Sequence, residues 1–266
     1  MRNLTPCLDE IRGVKSPAEI VLLREAGRLS AQAVIEAMRA TRPGMYEYEL
    51  NAIAHHVYLK HGARGEGYRA IIASGTDNTW HSHYFLNNCV MRYGDMVLMD
   101  TAPDYRYYTS DIGRMFPVNG TYTAWQRDLY GFVVDYHKIL LSCIRPGVTA
   151  DQIMAEAAER AMPLIGPARL SANLYRQAAK RLLEYKGNLS HSVGMSVHDV
   201  GGYKQAPLRP GVVFAVDPQM WIPEEKLYIR VEDTVVVTET GIEVLTGAAP
   251  LDLDEVEALM RQGGKA

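Results

Sequence analysis

Apolar residues recur at helical spacing in four segments, and these segments form two pairs. In the first pair, a helix is predicted to begin at Pro17, with Ser16 and Glu19 as a capping box. The triplet Arg-Pro-Gly at 42–44 ends this helix, and a second helix is predicted over about 47–61. The sequence therefore opens with a helical pair joined by a short turn.

The same order of signals returns later in the chain. Thr123 and Gln126 form a capping pair before a third helix, and Arg-Pro-Gly at 145–147 ends it. Thr149 and Gln152 then cap a fourth helix, which is expected to end near Gly166. The repeated order predicts that the chain contains two related halves.

A short apolar run that ends in an aspartate follows each helical pair. The runs are GDMVLMD at 94–100 and GVVFAVD at 211–217, and a second carboxylate follows each, Asp111 in one half and Glu232 in the other. Runs of this length and composition are typical of buried strands. Helices and strands together predict an α+β fold built by duplication.

The composition fits a single large domain. The chain has 266 residues, of which 47% are hydrophobic and 22% are charged. We predict an N-terminal lead-in at 1–14 and one domain over 15–266, with halves at about 15–120 and 121–250.

Charge and cysteine content limit the partners and the compartment. A net charge of −3 argues against a nucleic-acid-binding surface, and no run approaches the roughly 20 apolar residues that cross a membrane. Three cysteines lack any metal-binding spacing, and the N-terminal residues lack a signal-peptide pattern. These features predict a cytoplasmic protein.

The first pair of carboxylates raises a question of charge. If a hairpin turns about Tyr105–Arg106, Asp100 and Asp111 face each other with Cβ atoms about 5 Å apart. Two carboxylates at that distance need a shared proton or a cation between them. Asp104, which lies in the same hairpin, is interpreted as a turn residue.

Two histidines are candidates for the same site. His191 and His198 flank Gly194 in a stretch that alternates like a strand, and only a bend at Gly194 would bring both to one cavity. Upstream, His81 and His83 are further candidates. Four other histidines on predicted helices are interpreted as ordinary polar residues: His55, His56, His61 and His137.

The candidate donors are mostly carboxylate oxygens with one imidazole, which suits Mn²⁺, Co²⁺, Fe²⁺ or Zn²⁺. Four carboxylates favour two divalent ions, about 3.5–4 Å apart if the carboxylates bridge them. Hydrolysis is the reaction that such a pair of ions favours. The candidate metal ligands are Asp100, Asp111, His191, Asp217 and Glu232.

From about Arg12 to Met260, the chain resembles the pita-bread metallopeptidases, specifically the catalytic domain of Xaa-Pro aminopeptidases (aminopeptidase P) and prolidases. The resemblance rests on the motifs HYFLNNCVMRYGDMVLMD, SDIGRMFPVNG, SHSVGMSVHDVGGY and YIRVEDTVVVT. It implies a duplicated pita-bread fold, in which a curved antiparallel sheet with pseudo-two-fold symmetry has helices packed outside.

The resemblance also implies a role for each ligand. Asp100 resembles the ligand of one metal only, whereas Asp111 and Glu232 resemble bridging carboxylates. His191 and Asp217 resemble ligands of the other metal. The implied cofactors are two divalent ions, manganese first, with cobalt, zinc or iron as the alternatives.

The implied reaction is hydrolysis of the N-terminal bond of Xaa-Pro peptides by a hydroxide that bridges the ions. His83 and His198 resemble histidines that steady the substrate carbonyl and the tetrahedral intermediate. Arg230 resembles an arginine that orients a ligand.

The sequence departs from the family pattern at two positions. Asp217-Pro218-Gln219 stands where the family usually has Glu-Pro-Gly, and Gly187 stands where it usually has His or Ala. Both departures leave proline specificity open. The family's N-terminal domain has no counterpart, so the chain is expected to be either part of a longer protein or a short relative. The sequence also leaves open whether the chain is a dipeptidase or an aminopeptidase, which metal is physiological, and whether it forms a homodimer.

Three alternative functions remain. A methionine aminopeptidase would suit the short chain, but VHDVGGY after His191 is more similar to the proline-directed enzymes. A non-catalytic pita-bread module that binds peptides is a second alternative, although all five ligand positions keep metal-competent side chains. A creatinase-like hydrolase of a small guanidino compound is the third.

Overall fold

The protein was analysed as a computed structural model that describes residues 3–204 and 206–263. Its α-helices in this range are α1 (Thr5–Gly13), α2 (Pro17–Ala40), α3 (Glu47–Lys60), α4 (Gly75–Thr79), α5 (Ala124–Cys143), α6 (Ala150–Ala161), α7 (Asn173–Glu184) and α8 (Leu253–Gly263). Its strands there are β1 (Ile71–Ser74), β2 (Met96–Asp100), β3 (Ile112–Pro117), β4 (Val213–Val216), β5 (Gln219–Ile222), β6 (Leu227–Arg230), β7 (Glu232–Val237) and β8 (Ile242–Val244).

The main sheet is antiparallel and carries the predicted duplication. Its order is β1-β2-β3-β7-β4, with β8 also paired to β7. The β2–β3 pair of the first half therefore corresponds to the β4–β7 pair of the second half. The two halves meet between β3 and β7, where Gly113 is opposite Glu232. Strands β5 and β6 form a separate two-stranded ribbon.

The helices pack in corresponding pairs. Helix α2 packs against α3 in the first half, and α5 packs against α6 in the second. Fully buried side chains such as Leu29, Phe116, Phe132 and Phe214 fill the core. No helix in the described part of the chain is both long and apolar enough to cross a membrane.

The predicted helix starts are confirmed. Helix α2 begins at Pro17 with the Ser16–Glu19 capping box, and the boxes before α5 and α6 are also present. The fourth helix ends earlier than expected, at Ala161, and a 3₁₀ turn over Met162–Leu164 follows. Pro163 lies in that turn and lacks the N–H that would continue the α-helical hydrogen bonds.

The predicted register of the β2–β3 hairpin is wrong by two residues. Asp100 is opposite Gly113 rather than Asp111. The turn is centred on Arg106 and Tyr107, which both have positive φ angles, 53° and 70°. Because side chains alternate with a period of two, the shift keeps Asp100 and Asp111 on the same face.

Candidate metal centre and active site

Four carboxylates meet where the two halves of the sheet join. Asp100 ends β2 and Asp111 directly precedes β3, whereas Asp217 directly follows β4 and Glu232 begins β7. Each of these side chains is at most 6% exposed. The fold thus brings the predicted carboxylate set together in a buried position.

His191 joins two of these carboxylates. Its Nε2 atom lies 3.2 Å from Asp111 Oδ2 and 3.6 Å from Glu232 Oε1. One donor atom from each of the three residues lies within 4.8 Å of the other two. This spacing allows all three to bind one cation.

Arg230 contacts the remaining carboxylates from β6. Its Nη1 donates to Asp100 Oδ2 at 3.0 Å and its Nε donates to Asp217 Oδ1 at 3.1 Å. Its Nη2 also donates to Glu232. Arg230 therefore touches three candidate ligands, which is the arrangement expected of a residue that orients them.

Tyr68 is a member of the site that sequence reasoning missed. Its hydroxyl lies 2.6 Å from Asp100 Oδ1 and 2.7 Å from Asp111 Oδ1. Tyr68 precedes β1, and Ile71 on that strand is opposite Asp100. The only sequence signal is a tyrosine just before an apolar run. That signal indicates a place in the site only when β1 is known to pair with β2.

Burial makes the charge of this cluster costly. It raises the pKa of Asp100 and of Asp217 to about 6, although Arg230 opposes the shift at both. Burial also raises the pKa of Asp111 and of Glu232. Four carboxylates against one arginine leave an excess of negative charge that a bound cation would neutralise.

An acceptor unpartnered in the described part of the chain and the negative surroundings of His191 support a fit between this set and divalent ions. Glu232 Oε1 is buried and has no hydrogen-bond partner among the described residues. Burial lowers the pKa of His191, but its hydrogen bond with Asp111 and the charge of Glu232 outweigh burial and raise that pKa to about 11. The carboxylates thus favour positive charge at the point where the predicted ligands converge.

His198 lies directly beside His191, with their ring centroids 4.0 Å apart. The stretch that carries them is not the predicted regular strand but a loop, in which Ser192 pairs with Asp199 in an isolated bridge. The close approach requires Gly194, because a Cβ atom there would lie 2.1 Å from Asp199 Oδ2. The predicted bend at Gly194 is confirmed.

His83 and His198 are both exposed, in contrast to the four buried carboxylates. Burial lowers the pKa of His198, and the charges of His191 and His83 lower it further. His83 is therefore close enough to influence His198, while its Nδ1 lies 3.4 Å from Ser82 Oγ. Their contact with a substrate stays a prediction.

A cavity of about 420 Å³ adjoins Asp217. Apolar side chains such as Leu182, Met220 and Trp221 line it, together with Gln219. A cavity of this kind suits an apolar ligand that is anchored by a few polar groups.

The residues that were interpreted as ordinary polar or turn residues contact side chains or backbone groups other than the candidate metal ligands. His55 Nε2 lies 2.6 Å from Glu66, and His137 Nε2 lies 2.8 Å from Asp233. Asp104 accepts a hydrogen bond from the Tyr107 backbone at 2.9 Å, in agreement with a turn role.

Residues 21–239 match the metallopeptidase family M24. The chain belongs to this family. Among its relatives, Xaa-Pro aminopeptidase of Escherichia coli (strain K12) is 40% identical over 277 residues, covering 98% of this chain and 62% of the relative. Xaa-Pro aminopeptidase of Haemophilus influenzae is 35% identical over 270 residues, covering 96% of this chain and 62% of the relative.

A solved structure agrees with the sequence relatives. Zinc-substituted E. coli aminopeptidase P in complex with product matches with a TM-score of 0.88 and 38% identity, covering 100% of this chain and 63% of that chain. The match confirms the predicted pita-bread fold and the family resemblance. The chain spans about three fifths of the length of these relatives.

Proposed function

We propose that this M24 chain is a dinuclear metal-dependent aminopeptidase or dipeptidase that hydrolyses the N-terminal bond of Xaa-Pro peptides. The observation that carries the proposal is the convergence of Asp111, His191 and Glu232, whose donor atoms lie within 4.8 Å of one another. The names of the two bacterial relatives support the substrate class.

The residues that would hold two divalent ions are Asp100, Asp111, His191, Asp217 and Glu232. We favour manganese over cobalt, zinc and iron because carboxylate oxygens dominate the donor set. Divalent ions bound there would lower the pKa of water and polarise a carbonyl oxygen, which are the two effects that peptide hydrolysis needs.

Other residues of the chain would position and stabilise the reacting groups. His198 would donate an N–H to the carbonyl oxygen as negative charge develops on it, with His83 in support. Arg230 and Tyr68 would keep the carboxylates in place through the hydrogen bonds described above. The apolar wall of the adjoining cavity, which includes Trp221, supports binding of an apolar residue such as proline.

The experiment compares Xaa-Pro and Met-Ala peptides on chelator-treated protein during titration with Mn²⁺. We expect cleavage of Xaa-Pro peptides that chelator abolishes and Mn²⁺ restores. Cleavage of Met-Ala alone would favour a methionine aminopeptidase, and peptide binding without cleavage would favour a binding module. A cytoplasmic location and a homodimer stay predictions from the sequence.

A further inference from the structure

The carboxylate of Asp217 is held from two neighbouring strands. Arg230 Nε donates to Asp217 Oδ1 at 3.1 Å, and Gln219 Nε2 donates to Asp217 Oδ2. Gln219 on β5 and Arg230 on β6 are direct partners across the ribbon. Both oxygens of Asp217 are therefore engaged by side chains that are adjacent in the β5–β6 ribbon.

Asp100, which corresponds to Asp217 in the other half, has the same arrangement. Its Oδ2 accepts from Arg230 at 3.0 Å, and its Oδ1 accepts from the Tyr68 hydroxyl at 2.6 Å. The two aspartates thus share the arginine, and each also has a neutral donor, although the Tyr68 hydroxyl lies close to Asp111 as well. In the second half Gln219 therefore corresponds to Tyr68 in the first half, as the neutral donor to the aspartate.

We propose that Gln219 is a positioning residue that holds the Asp217 carboxylate in the orientation needed to bind a divalent cation; the inference rests on the proposed metal-dependent function. The last torsion of an aspartate side chain has a broad range of angles unless the carboxylate oxygens are held. A neutral amide can fix that rotation without adding a positive charge, whereas a second cationic side chain would compete with the metal ions.

Gln219 contributes little to the packing of the ribbon. Its side chain is exposed at the start of β5, whereas Met220 and Ile222 on the same strand are buried. Loss of the amide should therefore leave the fold intact and change only the site that Asp217 serves. This separation allows a positioning role to be distinguished from a structural one.

The test uses Gln219→Met, which keeps most of the side-chain length and removes the donor. Isothermal titration of the chelator-treated full chain with Mn²⁺ should show affinity that is weaker by about 10–100-fold. The melting temperature of the metal-free protein should equal that of the wild type. Gln177→Met on α7 makes the same chemical change at an exposed position and should titrate like the wild type.

A double-mutant cycle tests whether Gln219 acts through Asp217. In an Asp217→Asn background, Gln219→Met should cause no further loss of Mn²⁺ affinity. Equal losses in both backgrounds, or a lower metal-free melting temperature for Gln219→Met, would overturn the positioning role. If wild-type protein binds Mn²⁺ and cleaves Xaa-Pro peptides but Gln219→Met titrates identically, only this inference fails. If wild-type protein binds no divalent ion, the proposed function fails first.

Discussion

The imidazole rings of His191 and His198 pack with centroids 4.0 Å apart, although they come from opposite ends of one loop. The loop can turn this sharply because Gly194 leaves room for the Asp199 carboxylate. That carboxylate is almost completely buried and pairs with Arg12, which lies in the last turn of α1. The position of both histidines therefore depends on the absence of a side chain at Gly194.

Gly194→Ala should displace this loop. The added Cβ atom would lie 2.1 Å from Asp199 Oδ2 and 3.0 Å from Lys15 Cε, so the loop or the ion pair must move. We expect a loss of about 1–3 kcal/mol in the free energy of unfolding, measured by denaturant titration, together with reduced peptidase activity. Gly202→Ala is the control, since its Cβ meets no described atom within 4 Å. Equal effects of the two variants would contradict the role of Gly194.

His198→Ala tests transition-state stabilisation separately from metal binding. If His198 donates to the developing oxyanion, kcat should fall by about 10²–10³-fold while the bound Mn²⁺ content is unchanged. Steady-state kinetics and metal analysis on the same sample provide both measurements. His81→Ala removes an exposed histidine from the neighbouring loop and should retain kcat. Unchanged kcat in His198→Ala would remove the assigned role.

The sequence predicted elements whose signals are local. The capping boxes at Ser16 and Thr123 correctly placed the starts of two long helices, because a cap depends on residues only three positions apart. The carboxylates followed from the repeated strand pattern. Local signals do not predict contacts between distant segments. Tyr68 illustrates this, because its contact with Asp100 depends on how β1 pairs with β2.

The hairpin register was missed for a related reason. Arg106 and Tyr107 both adopt positive φ angles, which glycine or asparagine would have signalled. Neither residue carries that signal, so the turn was predicted one position too early, about Tyr105–Arg106. The two-residue shift left the site intact because it preserved the face on which Asp100 and Asp111 lie.

Tyr68→Phe should weaken metal binding with little effect on the fold. The change removes the hydroxyl that lies within 2.7 Å of both Asp100 and Asp111, so these carboxylates lose a shared orienting contact. We expect Mn²⁺ affinity to fall by about 10–100-fold in calorimetric titration. Tyr58→Phe is a matched control, because the Tyr58 hydroxyl bonds Thr101, beside Asp100, rather than a candidate ligand. Similar affinities for both variants would contradict the prediction.

Arg114 should be important for stability rather than for metal binding. It is completely buried, and its Nη2 lies 2.7 Å from Asp233, the residue after Glu232. Arg114→Leu would leave Asp233 without its arginine partner, so we expect a loss of about 3–5 kcal/mol in the free energy of unfolding. Arg24→Leu breaks an exposed pair with Glu243 and should cost at most about 1 kcal/mol by the same denaturant titration. Equal losses in the two variants would show that the buried pair contributes no more to the free energy of unfolding than the exposed pair.

The stability of the metal-free protein should depend on the ionisation of Asp217. Burial raises the pKa of Asp217 to about 6, above the value of about 4 expected in the unfolded chain. The folded state therefore binds this proton more tightly, so the stabilising contribution is complete below about pH 4 and is lost as the pH rises through about 6. The difference corresponds to about 2–3 kcal/mol.

Asp217→Asn removes this titration and gives a direct measurement. In chelator, the free energy of unfolding of the wild type should fall relative to that of the variant by about 2–3 kcal/mol between pH 4 and pH 7. Asp254→Asn is the control, because the Asp254 side chain is 86% exposed, and its difference from the wild type should stay nearly constant with pH. A wild-type advantage over Asp217→Asn that grows as the pH rises would mean that the folded state favours the ionised carboxylate even without a metal ion. In that case Arg230 alone would balance the charge of Asp217.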